Sequence, residues 1–333
     1  MDVQHISKLR SGRAGEQETP YFMHRHYIIA NPTSGRGTGA RMIPVIERLM
    51  DHHHLTYTLV RTREPWHAAE LAYQAAADGY ERVVAAGGDG TVNEVLNGLV
   101  RAREEGKGRP AMGVVTVGRG NDFAYGVNLP HDLEEDVRTL AEGREQPIDV
   151  GRLTGGLYPR GRVFGNGVGI GFDAVVGFES AKLAPLSGFV SYLVAALKTI
   201  LLYYHAPRIQ IELDDETITQ PSLMVSVMNG RRMGGGFYMA PHSRPDDGQF
   251  DLCIAGSVSR LEMLGLMVRF MHGTQGSHPE IQFRRSKRVT VSAMTGVLPA
   301  HADGETMALG ADRLQMEILP AAIDLVALPK EEG

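Results

Sequence analysis

Three glycine-rich segments of the sequence have the composition of loops that hold phosphate groups. They cover residues 31–37, 87–93 and 118–123, and each follows a short apolar run that predicts a β-strand. Glycine lets the backbone approach a ligand closely and adopt positive φ angles, and backbone N–H groups at the start of a helix can bind phosphate oxygens. Because ligands bind at the carboxyl ends of strands in an open α/β sheet, the three segments together predict a phosphate site at one sheet edge.

Asp89 lies inside the second segment, in the sequence GGDGT. A carboxylate among phosphate-binding amides would repel the phosphates unless a cation lay between them, and Mg²⁺ bound to Asp89 and a nucleotide phosphate would remove that repulsion. The alternative is that Asp89 or Thr91 only caps a helix starting at Thr91. The neighbouring loops favour the magnesium hypothesis, and both interpretations stay open.

Known nucleotide-binding motifs narrow the choice of ligand. The sequence has no Gly-Lys-[Ser/Thr] loop and no His-Arg-Asp or Asp-Phe-Gly motif, so P-loop enzymes and protein kinases are excluded. Residues 35–40 match the dinucleotide motif G-x-G-x-x-A, and Arg61 and Arg63 would suit a 2′-phosphate. An NADP-binding oxidoreductase is therefore an alternative, although it leaves GGDGT and GRGND without a role.

The elements that must position these loops differ between the two halves of the chain. Residues 23–150 alternate short apolar strands with helical periodicity, which predicts an α/β lobe with a doubly wound, Rossmann-like parallel sheet. Residues 151–320 contain successive strand-like runs separated by turns, which predicts an all-β second lobe of the β-sandwich type. Residues 321–333 predict a further strand of either lobe, and residues 1–22 a flexible tail. The expected fold class is α/β plus all-β.

Composition excludes several classes of protein. The net charge of −5 argues against a general nucleic-acid binder. The single cysteine, Cys253, cannot form an intrachain disulfide, which fits a reducing cytosol. No signal peptide and no membrane-spanning apolar run is visible. We therefore expect a cytoplasmic protein without an integral membrane segment.

The segments NPTSG, GGDGTVNEVLNG and GRGNDFA, in this order, resemble the diacylglycerol kinase catalytic domain family, and the bacterial soluble lipid kinases in particular. Sphingosine and ceramide kinases are related to it. The resemblance continues through residues 148–151, 234–237, 245–248 and 302–305, and so covers nearly the whole chain. It implies a Rossmann-like ATP lobe and a β-sandwich lobe. The implied activity is ATP- and Mg²⁺-dependent phosphorylation of a lipid hydroxyl, with diacylglycerol as the favoured acceptor, by a protein peripheral to the membrane and compatible with a homodimer.

The same resemblance implies which residues bind the nucleotide. Arg119 stands where family members commonly have threonine, so a hydroxyl is replaced by a cation at that position. The residues implied to bind the nucleotide are Asn31, Pro32, Thr33, Ser34, Gly35, Thr62, Gly87, Gly88, Asp89, Gly90, Thr91, Val92, Asn93, Arg119, Asn121 and Asp122.

The resemblance also implies catalytic carboxylates. Asp303 and Glu305 match the region of the general base, with Asp149 expected nearby. A second carboxylate would make an aspartate a better base, because like charges repel. From the residues alone, Asp303-Gly304 predicts a hairpin turn, since Asp-Gly is a strong turn signal.

A structural magnesium ion, remote from the reaction, is implied at residues 244–249. There Asp247 would contribute its carboxylate, and Arg244 and Gln249 their backbone carbonyls, a ligand set of oxygens that suits Mg²⁺. The alternative is an ordinary Asp-Gly turn. Two further segments have open interpretations: the basic run 284–288 is either a solvated edge or a site for anionic headgroups, and the apolar helix predicted at 189–204 is either core or an acyl-chain contact.

Overall fold

The computed structural model describes residues 24–118, 120–183, 189–202 and 205–329. The predicted tail and Arg119 lie outside the described residues. The described chain forms two compact units. Unit 1 comprises residues 24–118, 130–146 and 323–329, and unit 2 comprises residues 120–129 together with the described part of 147–322.

Unit 1 is built around a parallel sheet with the strand order β2-β1-β3-β4. Near the end of the chain, Leu325 pairs in parallel with Met112 of the outer strand. The elements of this unit are β1 (Arg25–Ala30), α1 (Ser34–His52), β2 (Thr56–Arg61), α2 (His67–Ala77), β3 (Arg82–Gly87), α3 (Asp89–Glu104), β4 (Ala111–Thr116) and, after α4 of the other unit (Asp122–Gly126), α5 (Leu133–Glu142).

Helices cover both faces of this sheet, which explains why its strands are apolar on both sides. Every residue of β3 is buried. Helices α1 and α5 share one core with the sheet, which includes Ile46 and Leu140. Helices α2 and α3 pack together, and a Cβ at Gly98 of α3 would lie 2.2 Å from the carbonyl oxygen of Ala69 in α2. Because crossovers between parallel strands are right-handed, this strand order places α1 and α3 on opposite faces.

Unit 2 is a β-sandwich with the α-helices α4, α6, α7 and α8 among its described residues. One layer is an antiparallel sheet of six strands in the order β12-β11-β10-β7-β14-β15, and the strands of the other layer are also antiparallel. The elements are β5 (Arg144–Gly155), β6 (Tyr158–Phe164), β7 (Gly167–Gly171), α6 (Phe172–Lys182), α7 (Phe189–Leu202), β8 (Arg208–Glu212), β9 (Thr217–Pro221), β10 (Met224–Met228), β11 (Phe250–Ala255), α8 (Arg260–His272), β12 (Ile281–Ser286), β13 (Arg288–Ala293), β14 (Leu298–Ala302), β15 (Glu305–Ala311) and β16 (Arg313–Ala327).

The core of unit 2 lies between these two layers. Phe164 of β6 and Phe250 of β11 are fully buried and stack with their ring centroids 5.6 Å apart. The predicted fold class, an α/β lobe with a β-sandwich lobe, is therefore confirmed. Among the described residues, no helix has the length and apolar character needed to cross a membrane.

Two predicted strands differ from the structure. The run at residues 163–170 is broken into β6 and β7, because the N–H groups of residues 165–167 bond to a carboxylate rather than to a neighbouring strand. The last apolar run is not a separate strand but the end of β16. This strand pairs with β13 within unit 2 through residues 313–317, and its residues from Ile323 onward belong to unit 1.

Candidate active site

The segments 31–37 and 87–93 lie side by side at the carboxyl edge of the unit 1 sheet, because β1 and β3 are neighbouring parallel strands. The helices that follow them, α1 and α3, leave toward opposite faces. This is a topological switch point, and such a point opens a crevice at which α/β proteins bind their ligands. Thr62, at the end of β2, lies at the same edge and donates its N–H to the carbonyl oxygen of Ala30 at 2.9 Å.

Hydrogen bonds connect the two segments to each other. The Asn31 side chain donates from Nδ2 to Thr91 Oγ1 at 3.0 Å, and its Oδ1 accepts from the N–H and the hydroxyl of Thr33 at 3.0 and 2.8 Å. The Gly88 N–H donates to Ser34 Oγ at 3.3 Å. One asparagine therefore fixes its own turn and the start of α3 at the same time.

Glycine is required in both segments for different reasons. Residues 35–37 have φ values of 58°, 60° and 87°, so the chain turns through three left-handed residues before the regular part of α1 begins. Gly87 is required by close approach, since a Cβ there would lie 2.4 Å from Thr91 Oγ1. These constraints make the backbone of both segments well defined.

The other residues of unit 1 that were predicted to bind the nucleotide differ in how exposed they are. Asp89 is the first residue of α3 and is half-buried, with Gly88 as the N-cap, so the alternative of a helix beginning at Thr91 is wrong. Pro32 and Gly90 are accessible, whereas Val92 and Asn93 are buried. The side chains of Val92 and Asn93 pack within unit 1, so they can affect a ligand only by fixing the position of α3.

Asp303, in unit 2, is held by three backbone N–H groups. Its carboxylate accepts from Gly165 at 2.7 Å, Asn166 at 3.0 Å and Gly167 at 3.1 Å. Asp303 and Gly304 have φ values of 48° and 83° and form the two-residue turn between β14 and β15, so the predicted hairpin is present. The residue is both a turn residue and a carboxylate of fixed orientation.

The second carboxylate beside Asp303 is Asp122. Burial raises the pKa of Asp122 above its ordinary value, and the negative charge of Asp303 acts in the same direction, whereas the Gly235 N–H and Arg232 act to lower it. Arg232 donates from Nε to Asp122 Oδ1 at 3.0 Å, and both side chains are about 15% exposed. Sequence analysis assigned Asp122 to the nucleotide, but within unit 2 its carboxylate is already bonded to protein groups. Asn121, which precedes it, is the left-handed N-cap of α4.

Asp149 and Glu305, the other predicted catalytic residues, have different surroundings. The Asp149 carboxylate accepts the N–H groups of Gly248 at 2.7 Å and Ala321 at 2.8 Å, which is the geometry of a residue that fixes backbone. Asn229 connects it to Asp303, because its Nδ2 donates to the carbonyl oxygens of Asp149 and Gly165. Glu305 is exposed at the start of β15.

Two of the residues predicted to hold a structural magnesium ion have side chains paired with other protein groups. The Asp247 carboxylate forms an ion pair with Arg285, and its Oδ1 also accepts the Gln249 N–H at 3.2 Å. Arg244 pairs with Asp246, its neighbour but one, at 3.0 Å. In the part of the chain that the structure describes, no cluster of three His, Cys, Asp or Glu side chains suits a metal ion. The predicted site consists of one carboxylate and two backbone carbonyls, so it stays a prediction.

An apolar pocket lies in unit 2 between helices α6, α7 and α8. At its wall Asp173 is fully buried, accepts the Tyr192 hydroxyl and lies 3.5 Å from His301 Nε2. Burial acts to raise the pKa of Asp173, but the bonds from His301 and Tyr192 more than offset it, and the pKa lies below its ordinary value. Sequence analysis missed this group. The only signal was that His301 and Asp303 are separated by one residue.

Comparisons with known proteins agree in both halves of the chain. Residues 25–153 match the diacylglycerol kinase catalytic domain, and residues 166–327 match the YegS C-terminal NAD kinase beta sandwich-like domain. The diacylglycerol kinase of Staphylococcus saprophyticus is 29% identical over 282 residues, which cover 84% of this chain and 88% of that protein. That of Staphylococcus carnosus is also 29% identical over 282 residues, with the same coverage.

Solved structures give the same fold. A crystal structure of a diacylglycerol kinase from Bacillus anthracis has a TM-score of 0.73 and 22% identity, and it covers 93% of this chain and 99% of that one. Yeast NADH kinase complexed with NADH has a TM-score of 0.51 and 10% identity, with 94% of this chain and 85% of that chain covered. At these identities the likeness concerns the fold alone.

The Asp122–Arg232 pair predicts a pH-dependent loss of stability. Arg232→Met leaves the Asp122 charge without its partner, and we expect unit 2 to lose about 3 kcal/mol at pH 8, as when one partner of a buried pair is removed. The pKa of Asp122 in the folded protein lies above its unfolded value and rises further in the variant. Protonation of Asp122 therefore stabilises the folded variant more than the folded wild type. The loss in the free energy of unfolding caused by Arg232→Met should shrink as the pH falls to 5.

Urea unfolding followed by circular dichroism at pH 8 and pH 5 measures this loss. The double variant Asp122→Asn/Arg232→Met should regain most of the stability and show little dependence on pH. Arg313→Met is the control, because its 3.9 Å pair with Glu212 is exposed. Equal losses for Arg232→Met at both pH values would show that Asp122 is not the group affected.

Proposed function

Because the chain belongs to the diacylglycerol kinase catalytic domain family, we propose that it is a lipid kinase that uses ATP and Mg²⁺ to phosphorylate the free hydroxyl of diacylglycerol, giving phosphatidic acid and ADP. The observation that carries the proposal is the position of segments 31–37 and 87–93 at the ends of neighbouring strands. Membership of a kinase family argues against the oxidoreductase alternative, although an NADP-binding protein would bind its cofactor at the same edge of the sheet.

The nucleotide phosphates bind to backbone N–H groups of these two segments. The left-handed residues 35–37 form a tight turn, and turns of this kind can present backbone N–H groups to an anion. The start of α3 adds the positive end of a helix dipole. Thr91 and Asn31 act by holding the two segments in register, through the hydrogen bond between their side chains.

Asp89 is the residue that would hold Mg²⁺ beside these phosphates. It is half-buried in the first turn of α3, next to the Gly88 N–H, and carboxylate oxygen is a ligand that Mg²⁺ prefers. When bound, the ion offsets negative charge on the phosphate oxygens. Without it, the Asp89 carboxylate would repel them.

Asp303 orients the lipid hydroxyl and accepts its proton. Phosphoryl transfer to an alcohol passes through a loose transition state, so the base acts late and its orientation matters more than its strength. The lipid oxygen bonds to the γ-phosphorus, the bond from that phosphorus to the β–γ bridging oxygen breaks, and the hydroxyl proton passes to Asp303. The three N–H groups that bind this carboxylate keep its direction fixed.

The apolar pocket of unit 2 suits an acyl chain of the acceptor. Its lining is aliphatic and aromatic apart from the buried Asp173 and the Tyr192 hydroxyl. Four methionines among the lining residues give it side chains that adapt to flexible ligands: Met224, Met239, Met263 and Met267. A lipid with an apolar tail and a single reactive hydroxyl has the matching chemistry.

The helices above this pocket also expose an apolar surface, which we call the apolar helix face. On α7 the exposed residues are spaced at helical intervals and lie on one side: Val190, Val194, Leu197 and Leu201, with Leu201 68% exposed. On α8, which packs against α7, Leu261 is 78% exposed, and Leu264 and Val268 are also exposed. Large exposed apolar patches mark interaction sites, and amphipathic helices of this kind lie at the membrane interface. We assign this face to the membrane that holds the lipid substrate. The basic run has less support, because Arg284, Arg285 and Arg288 pair with carboxylates of the protein.

Transfer of labelled phosphate from ATP to lipids in mixed micelles tests the reaction. With Mg²⁺ we expect diacylglycerol to be labelled in preference to monoacylglycerol, ceramide, sphingosine and phosphatidylglycerol. Asp303→Asn should lower kcat at least about 100-fold, the usual contribution of a positioned base. Asp312→Asn, in the exposed turn before β16, is the matched control and should keep its activity.

Full activity of Asp303→Asn would remove Asp303 from the mechanism. Its melting temperature must be measured as well, because the change also affects three backbone hydrogen bonds. Labelling of another lipid would correct the acceptor. Binding of ATP without transfer to any lipid would favour a non-catalytic nucleotide- or lipid-binding protein.

Gly87→Ala tests the nucleotide segments. The added Cβ would lie 2.4 Å from Thr91 Oγ1, so Thr91 must move and the start of α3 with it. We expect ATP affinity, measured by calorimetric titration, to fall at least about tenfold, equivalent to about 1.4 kcal/mol. Gly265→Ala is the control, since nothing lies within 4 Å of a Cβ at that helical position. An unchanged Kd for Gly87→Ala would argue that ATP binds elsewhere.

Charged substitutions test the apolar helix face. Leu201→Glu/Leu261→Glu should reduce binding to phosphatidylglycerol–phosphatidylcholine vesicles at least about tenfold, because each leucine gives up about 1 kcal/mol or more of apolar burial. The matched control is Leu157→Glu/Leu309→Glu, which changes leucines of similar exposure on strands and turns. Sedimentation with vesicles measures binding, and an equal loss in both variants would contradict the assignment.

A further inference from the structure

Segment 244–249 is the place where the family resemblance implied a structural magnesium ion, and an arginine lies against it instead. Arg285 is on β12, directly opposite Asp251 of β11 in the antiparallel register. Its guanidinium contacts the Asp247 carboxylate through Nη2 and lies 3.4 Å from Asp251 Oδ1 through Nε. The Asp247 and Asp251 side chains are only 21% and 18% exposed. A single cation therefore joins the turn to the first residues of the following strand.

The same turn is fixed from its other side by Asp149. The N–H of Asp149 donates to the Pro245 carbonyl oxygen at 2.7 Å, and its carboxylate accepts from Gly248 at 2.7 Å. The contacts needed to hold the turn are thus supplied by the protein. The remaining requirement is a positive charge for Asp247, and Arg285 supplies it.

Arg285 and a divalent ion cannot both occupy this position. Mg²⁺ demands ligand oxygens at about 2.0–2.1 Å in octahedral geometry, which would bring its double positive charge within a few ångströms of the guanidinium bound to the same carboxylate. The two cations would repel each other strongly at that distance. A planar guanidinium can bond to two carboxylates at once and keeps its charge at every physiological pH.

We propose that Arg285 takes the place of the structural metal ion in this chain, so that segment 244–249 is held by a cation of the protein and binds no Mg²⁺. The stability of nucleotide-free unit 2 is then independent of divalent metal. Removal of Arg285 exposes Asp247 and Asp251 as a pair of partly buried carboxylates, and this variant gains the affinity for Mg²⁺ that the wild-type segment lacks. The inference is independent of the proposed reaction, because it concerns the protein without nucleotide or lipid.

Melting temperatures of the nucleotide-free full chain in EDTA and in MgCl₂ test the proposal. Wild type should melt at the same temperature in both. Arg285→Ala should melt about 2–4 °C lower in EDTA, the shift that accompanies a loss of one modest ion-pair contribution in a domain of this size, and MgCl₂ should restore much of the loss. Arg285→Lys keeps a cation and should remain insensitive to Mg²⁺. Arg284→Ala is the matched control, because Arg284 is the neighbour on β12 and pairs with Glu216 instead.

Binding of Mn²⁺ alone, followed by electron paramagnetic resonance at low temperature, gives a readout that does not depend on stability. Arg285→Ala should bind one Mn²⁺ more per chain than wild type, and the additional Asp247→Asn change should abolish that binding. A wild-type chain stabilised by MgCl₂ would overturn the proposal. So would an Arg285→Ala chain that loses stability and gains neither Mg²⁺ rescue nor an added Mn²⁺.

Discussion

The site proposed around Asp303 in unit 2 depends on hydrogen bonds from backbone N–H groups to carboxylates. Asp303 binds the three consecutive amides of residues 165–167, and Asp149 binds those of Gly248 and Ala321. Asn229 joins the two sets, since its side chain donates to the carbonyl oxygens of Asp149 and Gly165. A buried N–H without an acceptor costs about 1–3 kcal/mol. The break between β6 and β7 and the position of segment 244–249 therefore both follow from where these carboxylates lie.

Segments 31–37 and 87–93 of unit 1 meet the same requirement with neutral side chains. Asn31 and Ser34 accept the N–H groups of Thr33 and Gly88 there, and Thr91 accepts from the Asn31 amide. The difference has an electrostatic cause. A carboxylate that fixed these turns would stand among the amides proposed to bind phosphate and would repel it, so uncharged acceptors suit these two segments. Asp89 is the exception in segment 87–93, and the magnesium ion proposed to bind there would account for a negative charge at that position.

The parts of the structure predicted from sequence are those determined by neighbours in the chain. Alternation of strands and helices predicted the parallel sheet, and parallel strands bring the loops at their ends to one edge, so the proximity of segments 31–37 and 87–93 followed without further information. The Asp-Gly turn at Asp303 was predicted for the same local reason. The partners of the carboxylates were not predictable in this way. Arg232 is 110 residues from Asp122, and Arg285 is 38 residues from Asp247. Only the strand register brings them together, and the resemblance implied a metal ion at a place where this chain has an arginine.

The pairing of Asp122 with Asp303 is relevant to the transfer of the lipid hydroxyl proton in the proposed reaction. The Asp303 carboxylate accepts three N–H groups, which fix its direction. Asp122 is only 14% exposed, and its raised pKa means that its protonated form costs less than that of an ordinary aspartate. The positive charge of Arg232 opposes this rise in the pKa of Asp122, because it favours the ionised carboxylate. In the proposed reaction the two residues would have complementary properties: Asp303 would be oriented to receive the proton, and Asp122 would be the neighbouring group whose charge state responds to it. Asp122, which is 14% exposed and paired with Arg232, suits that second position better than Glu305, which is exposed to water.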